Sequence, residues 1–284
     1  MLTIKEIKEV LRRERIGISK YRGQNFLVDA NIQKKLIQAT RINPTDQILE
    51  IGPGLGALTE DLAKQAQEVI AVEKDKGLFK ILQRNLNKYS SLKFMRADIL
   101  DVNINKITEA DLKVIGNLPY YISTPIIGYL LEEQRNNIAE IFITVQREVG
   151  KRLVAETRTK DYSSLSIMVQ YFTDAKILFA IPKKAFYPQP RVDSVFVRLA
   201  VLPQPRVQVH QQEQFFKIVQ ACFQQRRKTM ANSLAHRLVD IEKEQIACAL
   251  KEAGIDPQQR PETVAVEGFA ELEHCFYKRG YAIG

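Results

Sequence analysis

The sequence predicts an α/β fold: an open, mainly parallel sheet covered by helices on both faces, with an antiparallel edge and a small helical domain after it. Short apolar runs alternate with segments of helical spacing through the first half of the chain, the pattern of strand–helix–strand units. A glycine-rich loop follows the first such run, and beyond residue 210 the spacing is helical only.

Taken in order, Leu2, Ile4, Ile7, Val10 and Leu11 give residues 1–16 one apolar helical face. Gly17 to Asp29 reads as a loop, and Asn31 to Thr40 is helical again through Ile32, Leu36 and Ile37. The runs QILEI (47–51), EVIAVE (68–73), LKFMR (92–96), LKVIG (112–116) and EIFITV (140–145) read as buried strands. Leu58 to Gln65, Gly77 to Leu86 and Pro125 to Glu132 read as the helices between them. After Asp174, AKILFAI and VDSVFVRLAV are strand-like runs joined by KKAFYPQPR, which suits an antiparallel edge. Pro203 and Pro205 make 202–210 a linker. Phe215 to Leu238, Ile241 to Ala253 and Val266 to Tyr277 read as helices. The expected domains are therefore 1–205, with a helical arm over 1–22, and 206–284.

Composition narrows the function classes. With 284 residues, 45% hydrophobic and 26% charged, the chain can build a core without disulfides or metal. Lys and Arg number 42 against 33 Asp and Glu, a net +9 that favours polyanionic partners, nucleic acid before an anionic membrane. Three scattered cysteines (Cys222, Cys248, Cys275) without C-x-x-C argue against a disulfide framework or a zinc cluster and fit a reducing cytoplasm. No apolar stretch reaches a signal-peptide core or the ~20 residues of a membrane span, so a soluble cytoplasmic protein is expected. His210, His236 and His274 are dispersed along the chain and expected at surface or helix positions. The H-x-E and P-C-x-x-C pair of zinc deaminases is missing, so no metal site is expected.

The loop Glu50-Ile51-Gly52-Pro53-Gly54-Leu55-Gly56-Ala57 stands where a strand ends and a helix begins. Glycines there allow a tight turn and let a ligand approach the backbone. Glu73, 21 residues past Gly52 at the end of the next strand, is placed to accept the hydroxyl hydrogens of a ribose. The loop alone fits either NAD or another adenosine cofactor. Two residues favour S-adenosylmethionine: Glu50 would repel a pyrophosphate but attract a sulfonium and an ammonium, and Asp98 can accept from an adenine amine.

The fourth strand ends in Asn117-Leu118-Pro119-Tyr120, followed by Tyr121. An adenine amine is a poor nucleophile because its lone pair is delocalised into the ring. The Asn117 side-chain oxygen and the Leu118 carbonyl can accept its two N–H bonds and favour a pyramidal nitrogen. Pro119 stiffens that turn, and Tyr120 offers a face for an extruded base.

These motifs resemble a known family. GQNFLVD with Asn25-Phe26-Leu27, EIGPGLGALT, VEKD, ADIL, NLPYYIS and FYPQPRVDS, in this order, look like the ribosomal RNA adenine dimethyltransferases. The tail CFQQRRKTMANSL (222–234) is similar to the housekeeping small-subunit enzymes rather than the erythromycin-resistance methyltransferases of large-subunit RNA. The resemblance implies a Rossmann-like class I methyltransferase sheet and transfer of four methyls to two adjacent adenines near the 3′ end of 16S ribosomal RNA. The substrate would be the immature small subunit and the enzyme a monomer; the rival readings are a large-subunit methyltransferase and a mainly non-catalytic assembly factor. By matched position, Asn25 and Leu27 would contact the methionine part of the cofactor and Gly52 would lie against it. Glu73 would hold the ribose, Asp98 the adenine, and Asn117 would span cofactor and target. Tyr120 and Phe186 would sandwich the target base.

Basic clusters complete the expectation. Residues 214–239 contain Lys217, Arg226, Arg227, Lys228 and Arg237 and no acid, so Arg226, Arg227 and Lys228 at a helix end are candidates for phosphate contacts. Arg147, Lys151, Arg152, Arg158 and Lys160 form a second candidate stretch. Arg12, Arg13, Arg15, Lys20 and Arg22 are similar candidates on a mobile arm.

Overall fold

The computed structural model describes residues 2–17, 24–108, 110–225, 227–238 and 241–283. In chain order the elements are α1 (Ile4–Arg13), β1 (Phe26–Leu27), α2 (Ala30–Thr40), β2 (Gln47–Ile51), α3 (Thr59–Gln65), β3 (Glu68–Val72) and α4 (Lys76–Leu86). There follow β4 (Leu92–Met95), β5 (Leu112–Asn117), α5 (Ser123–Glu132), β6 (Ile138–Gln146), α6 (Arg147–Leu153) and α7 (Ser164–Phe172). The chain closes with β7 (Thr173–Ile181), β8 (Phe186–Tyr187), β9 (Ser194–Val201), α8 (Gln212–Gln224), α9 (Met230–Ala235), α10 (Lys243–Glu252) and α11 (Val266–Lys278).

Seven strands form one sheet in the order β4-β3-β2-β5-β6-β9-β7. Pairs β2–β3, β3–β4, β2–β5 and β5–β6 are parallel and β6–β9 is antiparallel, and the two strands expected after Asp174, β7 and β9, are neighbours at that edge. Ile48, Leu49, Val69, Ala71, Val114, Ile141 and Ile143 are fully buried. Continuous apolar runs are what a sheet covered on both faces requires. The chain leaves β2 towards β3 and β4, then returns to place β5 on the other side of β2. The carboxyl ends of β2 and β5 thus adjoin a topological switch point, where ligands bind in open α/β sheets.

The chain divides into two units, Met1–Gly150 with Ala175–Val201, and Lys151–Asp174 with Leu202–Gly284. This differs from the expected division at 205, because 151–174 joins the C-terminal helices. Tyr171 at the end of α7 stacks on Phe215 of α8 with ring centroids 4.9 Å apart. The run Phe215 to Leu238, expected as one helix, is two. Thr229 is extended, and the first-turn donors of α9 are taken by a loop: Met230 N–H donates to Gln259 O at 2.8 Å and Ala231 N–H to Pro257 O at 3.2 Å.

Two further departures concern the N-terminal region. The arm expected to be mobile is packed over α1, where Ile7 and Leu11 are buried in a cluster with Phe26 and Leu78. Its start is fixed by a capping box, with Glu6 N–H donating to Thr3 Oγ1 at 3.3 Å and Thr3 N–H to Glu6 Oε2 at 2.7 Å. Within the expected loop 17–29, Phe26–Leu27 forms β1, which pairs antiparallel with β8 through Phe26–Tyr187 and Leu27–Phe186. Lys20 and Arg22 lie outside the described residues.

Candidate active site

A cavity of about 760 Å³ opens at the switch point, and Asn25, Leu27, Gly52, Glu73, Asp98 and Asn117 all line it. The residues expected to hold a cofactor, drawn from β1, the glycine loop and the ends of three strands, therefore share one space.

The glycine loop owes its path to backbone freedom. Gly52, Gly54 and Gly56 have φ of +66°, +59° and +85°, the left-handed region costly for side chains with a Cβ. At Gly56 an added Cβ would also meet Leu86 and Leu82 methyls at 3.0 and 3.1 Å. At Gly52 it would meet nothing within 4 Å, so the absence of a side chain there leaves open space beside the backbone.

Glu73 is buried, and backbone donors hold both of its oxygens. Gly54 N–H donates to Oε2 at 3.1 Å and Asp75 N–H to Oε1 at 2.8 Å. Burial pushes its pKa up, and these N–H groups oppose the rise. Asp98 accepts from Leu100 N–H and pairs with the Lys74 ammonium. Burial alone would raise its pKa, but Lys74 and the Leu100 N–H outweigh it and hold the carboxyl below the usual range. Sequence reasoning missed Lys74; the signal was its place directly after Glu73 at a strand end.

Glu50 is the least solvated acid on the cavity wall, 2% exposed. Its Oε2 has no hydrogen-bond partner among the described residues, and the Thr59 hydroxyl alongside is itself unpaired. Burial, reinforced by the nearby Glu73 and partly offset by Thr59, pushes its pKa up to about 8. A buried carboxyl group on a cavity wall with an unmet oxygen is suited to a cationic ligand.

At the end of β5, Asn117 Nδ2 donates to the Asn25 backbone carbonyl at 2.9 Å. This fixes the amide and leaves Oδ1 as its acceptor end. Leu118 is anchored by its N–H donating to Thr144 O at 3.2 Å, with its side chain buried in the core. Pro119 and Phe186 line the cavity, and Phe186 is held there by its pairing with Leu27. Tyr120 is not part of the cavity wall. Its hydroxyl hydrogen-bonds Ser194 Oγ at 2.6 Å, while Tyr121, 59% exposed, takes the place on the wall.

The basic candidates fall elsewhere. Arg147, Lys151 and Arg152 all lie on α6, and Arg147 N–H donates to Asp193 O at 3.0 Å. Arg227 and Lys228 are exposed in the turn between α8 and α9, and Arg226 lies outside the described residues. Lys217 is paired with Glu213 at 2.9 Å and Arg237 donates to Gln224 at 3.0 Å, so both have local partners.

A family model for ribosomal RNA adenine dimethylase matches residues 18–278. The chain is 43% identical over 273 residues to a protein named ribosomal RNA small subunit methyltransferase A of Moorella thermoacetica, covering 93% of this chain and 94% of that one. Among solved structures, a dimethyladenosine transferase of Plasmodium falciparum superposes with a TM-score of 0.77 at 24% identity, over 91% of this chain and all of that one. A 23S rRNA methyltransferase, ErmE, superposes with a TM-score of 0.67 at 26% identity, over 88% and 99%.

The strand order, the glycine loop at the switch point and these superpositions define a methyltransferase with a Rossmann-like sheet. The chain belongs to the ribosomal RNA adenine dimethylase family.

Proposed function

We propose that the protein uses S-adenosylmethionine to dimethylate the 6-amino groups of two adjacent adenines near the 3′ end of 16S ribosomal RNA. The substrate is the immature small subunit, and the enzyme acts in the cytoplasm as a monomer. The observation that carries this reading is the arrangement of Asn117, held on Asn25 O at 2.9 Å, in the same cavity as Glu73, Asp98 and the unpaired Glu50.

The residues present fit the cofactor. Glu50 offers a carboxyl oxygen with no hydrogen-bond partner among the described residues, matching a ligand with an ammonium and a sulfonium. Glu73, oriented by two backbone N–H groups, would take the ribose hydroxyls, and Asp98, kept ionised beside Lys74, the adenine amine. Asn25 and Leu27 would hold the methionine part, and Gly52 leaves room for it against the backbone. The cofactor supplies a methyl carbon made electrophilic by its bond to positive sulfur.

The chain's own part is positioning. Asn117 Oδ1 and the Leu118 carbonyl accept the two N–H bonds of the target amine and draw its lone pair out of conjugation with the ring. Pro119 holds that turn stiff, and Phe186 supplies a stacking face fixed by the β1–β8 ribbon. The amine proton leaves to water after transfer, so no strong base is required. Arg226, Arg227 and Lys228, with Arg147, Lys151 and Arg152, hold RNA phosphates.

Identity of 43% to a small-subunit methyltransferase supports the small subunit as substrate. The test is labelled-methyl transfer to purified undermethylated subunits, with the modified positions located by primer extension. Label confined to two adjacent adenines of small-subunit RNA is expected. Label in large-subunit RNA would make the protein a resistance-type enzyme, and no label with retained subunit binding would make it an assembly factor.

A further inference from the structure

The sequence separates His210 from His274 by 64 residues, yet folding of the second unit places their rings 4.8 Å apart, centroid to centroid. Between them lies Glu273 of α11, a carboxylate only 1% exposed. Its oxygens accept the backbone N–H groups of His210 at 3.0 Å and Gln211 at 2.9 Å, which fixes it at the start of α8. Oε2 then faces two imidazole nitrogens, Nδ1 of His210 at 3.5 Å and Nε2 of His274 at 4.0 Å. A fourth donor, the Gln208 carbonyl, lies 3.1 Å from the same Nε2.

We propose that His210, Glu273, His274 and the Gln208 carbonyl form a site for a divalent transition-metal ion of the zinc class, tying the 202–210 linker to α11. Two imidazoles and a carboxylate are a donor set that such ions favour. Donors of a tetrahedral zinc ion are roughly 3.3 Å apart, given metal–ligand bonds of about 2.0–2.1 Å. The 3.5 and 3.1 Å separations are already near that value, and the 4.0 Å contact and the two imidazole nitrogens, all within 4.8 Å, close by rotation of the rings.

In the metal-free protein Nε2 of His274 donates its proton to the Gln208 carbonyl at 3.1 Å, so the ion replaces that proton and takes up the same two donors. The ring of His210 lies flat on Tyr277, with centroids 4.1 Å apart and planes 8° from parallel, so its Nδ1 is held towards Glu273. Two carboxylates, Glu271 and Glu273, face two imidazoles, and a divalent cation balances that charge. This goes against the expectation of no metal, which rested on the missing C-x-x-C and zinc-deaminase motifs.

The experiment is titration calorimetry of the untagged, metal-free, full-length chain with Zn²⁺ alone, in a Cys248→Ser background that removes the exposed thiol. Thermal unfolding is followed in parallel. One equivalent bound with micromolar or tighter affinity is expected, with a rise in Tm. His210→Ala and His274→Ala should each weaken binding at least tenfold and abolish the rise, Glu271→Gln should weaken it less, and His236→Ala should change nothing. Absence of binding, or binding that survives both site-histidine substitutions, would overturn the proposal.

Discussion

Glu50 shows how a single residue couples the protein's stability to its ligand. With a pKa pushed from the usual 4.5 to about 8, it keeps its proton in the folded protein where the unfolded chain has lost it. The ligand-free protein therefore loses stability as pH rises from about 4.5 through 8, and Glu73, shifted in the same direction, adds to that slope. A cationic cofactor favours the ionised carboxylate, so S-adenosylhomocysteine, which keeps the ammonium, should bind more tightly as pH rises towards 8 and level off above it. Calorimetric titration across pH 6–9 checks this, and Glu50→Gln should flatten most of the slope. The sequence placed this acid correctly beside the glycine loop. It could not show that Oε2 would have no hydrogen-bond partner among the described residues, because that depends on which side chains the fold packs around it. Tyr120 is the opposite case: the motif marks it, but the bond to Ser194, 74 residues away, turns its hydroxyl from the cavity and leaves the wall to Tyr121.

Elements whose identity depends on local pattern were legible, and those that depend on distant partners were not. The parallel strands from β2 to β6 follow from apolar runs of strand length, with ends within two residues of those expected. The β1–β8 ribbon is two residues per strand and exists only because Phe26–Leu27 meets Phe186–Tyr187 across the fold. The division of 215–238 into α8 and α9 likewise depends on the 257–259 loop taking first-turn donors. At the glycine loop, local pattern and tertiary demand coincide. Gly56 combines φ of +85° with leucine methyls 3.0 Å from a potential Cβ. Gly56→Ala should cost roughly 1–2 kcal/mol from the left-handed backbone alone. A lowered denaturation midpoint at unchanged slope in urea measures it.

Across the whole molecule, a net charge of +9 supplies long-range attraction to RNA, whereas the proposed function places specificity for one adenine amine in the cavity. Composition favoured a polyanionic partner, nucleic acid before an anionic membrane, but only the fold shows that Lys217 is already neutralised by Glu213 while Arg227 and Lys228 are exposed. Reversing Arg227 and Lys228 to Glu should weaken RNA binding at least tenfold, by roughly 1.4 kcal/mol or more. It should also reduce the salt dependence and leave S-adenosylhomocysteine affinity unchanged, as filter binding and calorimetry would read. The two properties meet in the methyl-transfer step itself. Single-turnover transfer into undermethylated small subunits, with enzyme, cofactor and RNA all saturating, isolates that step from binding. Asn117→Ala should slow it by roughly 100-fold or more while cofactor affinity changes far less, as loss of a preorganised polar group in a catalytic site does. An Asn117→Ala enzyme that transfers methyl at the wild-type single-turnover rate would contradict the assignment of the reaction to this cavity.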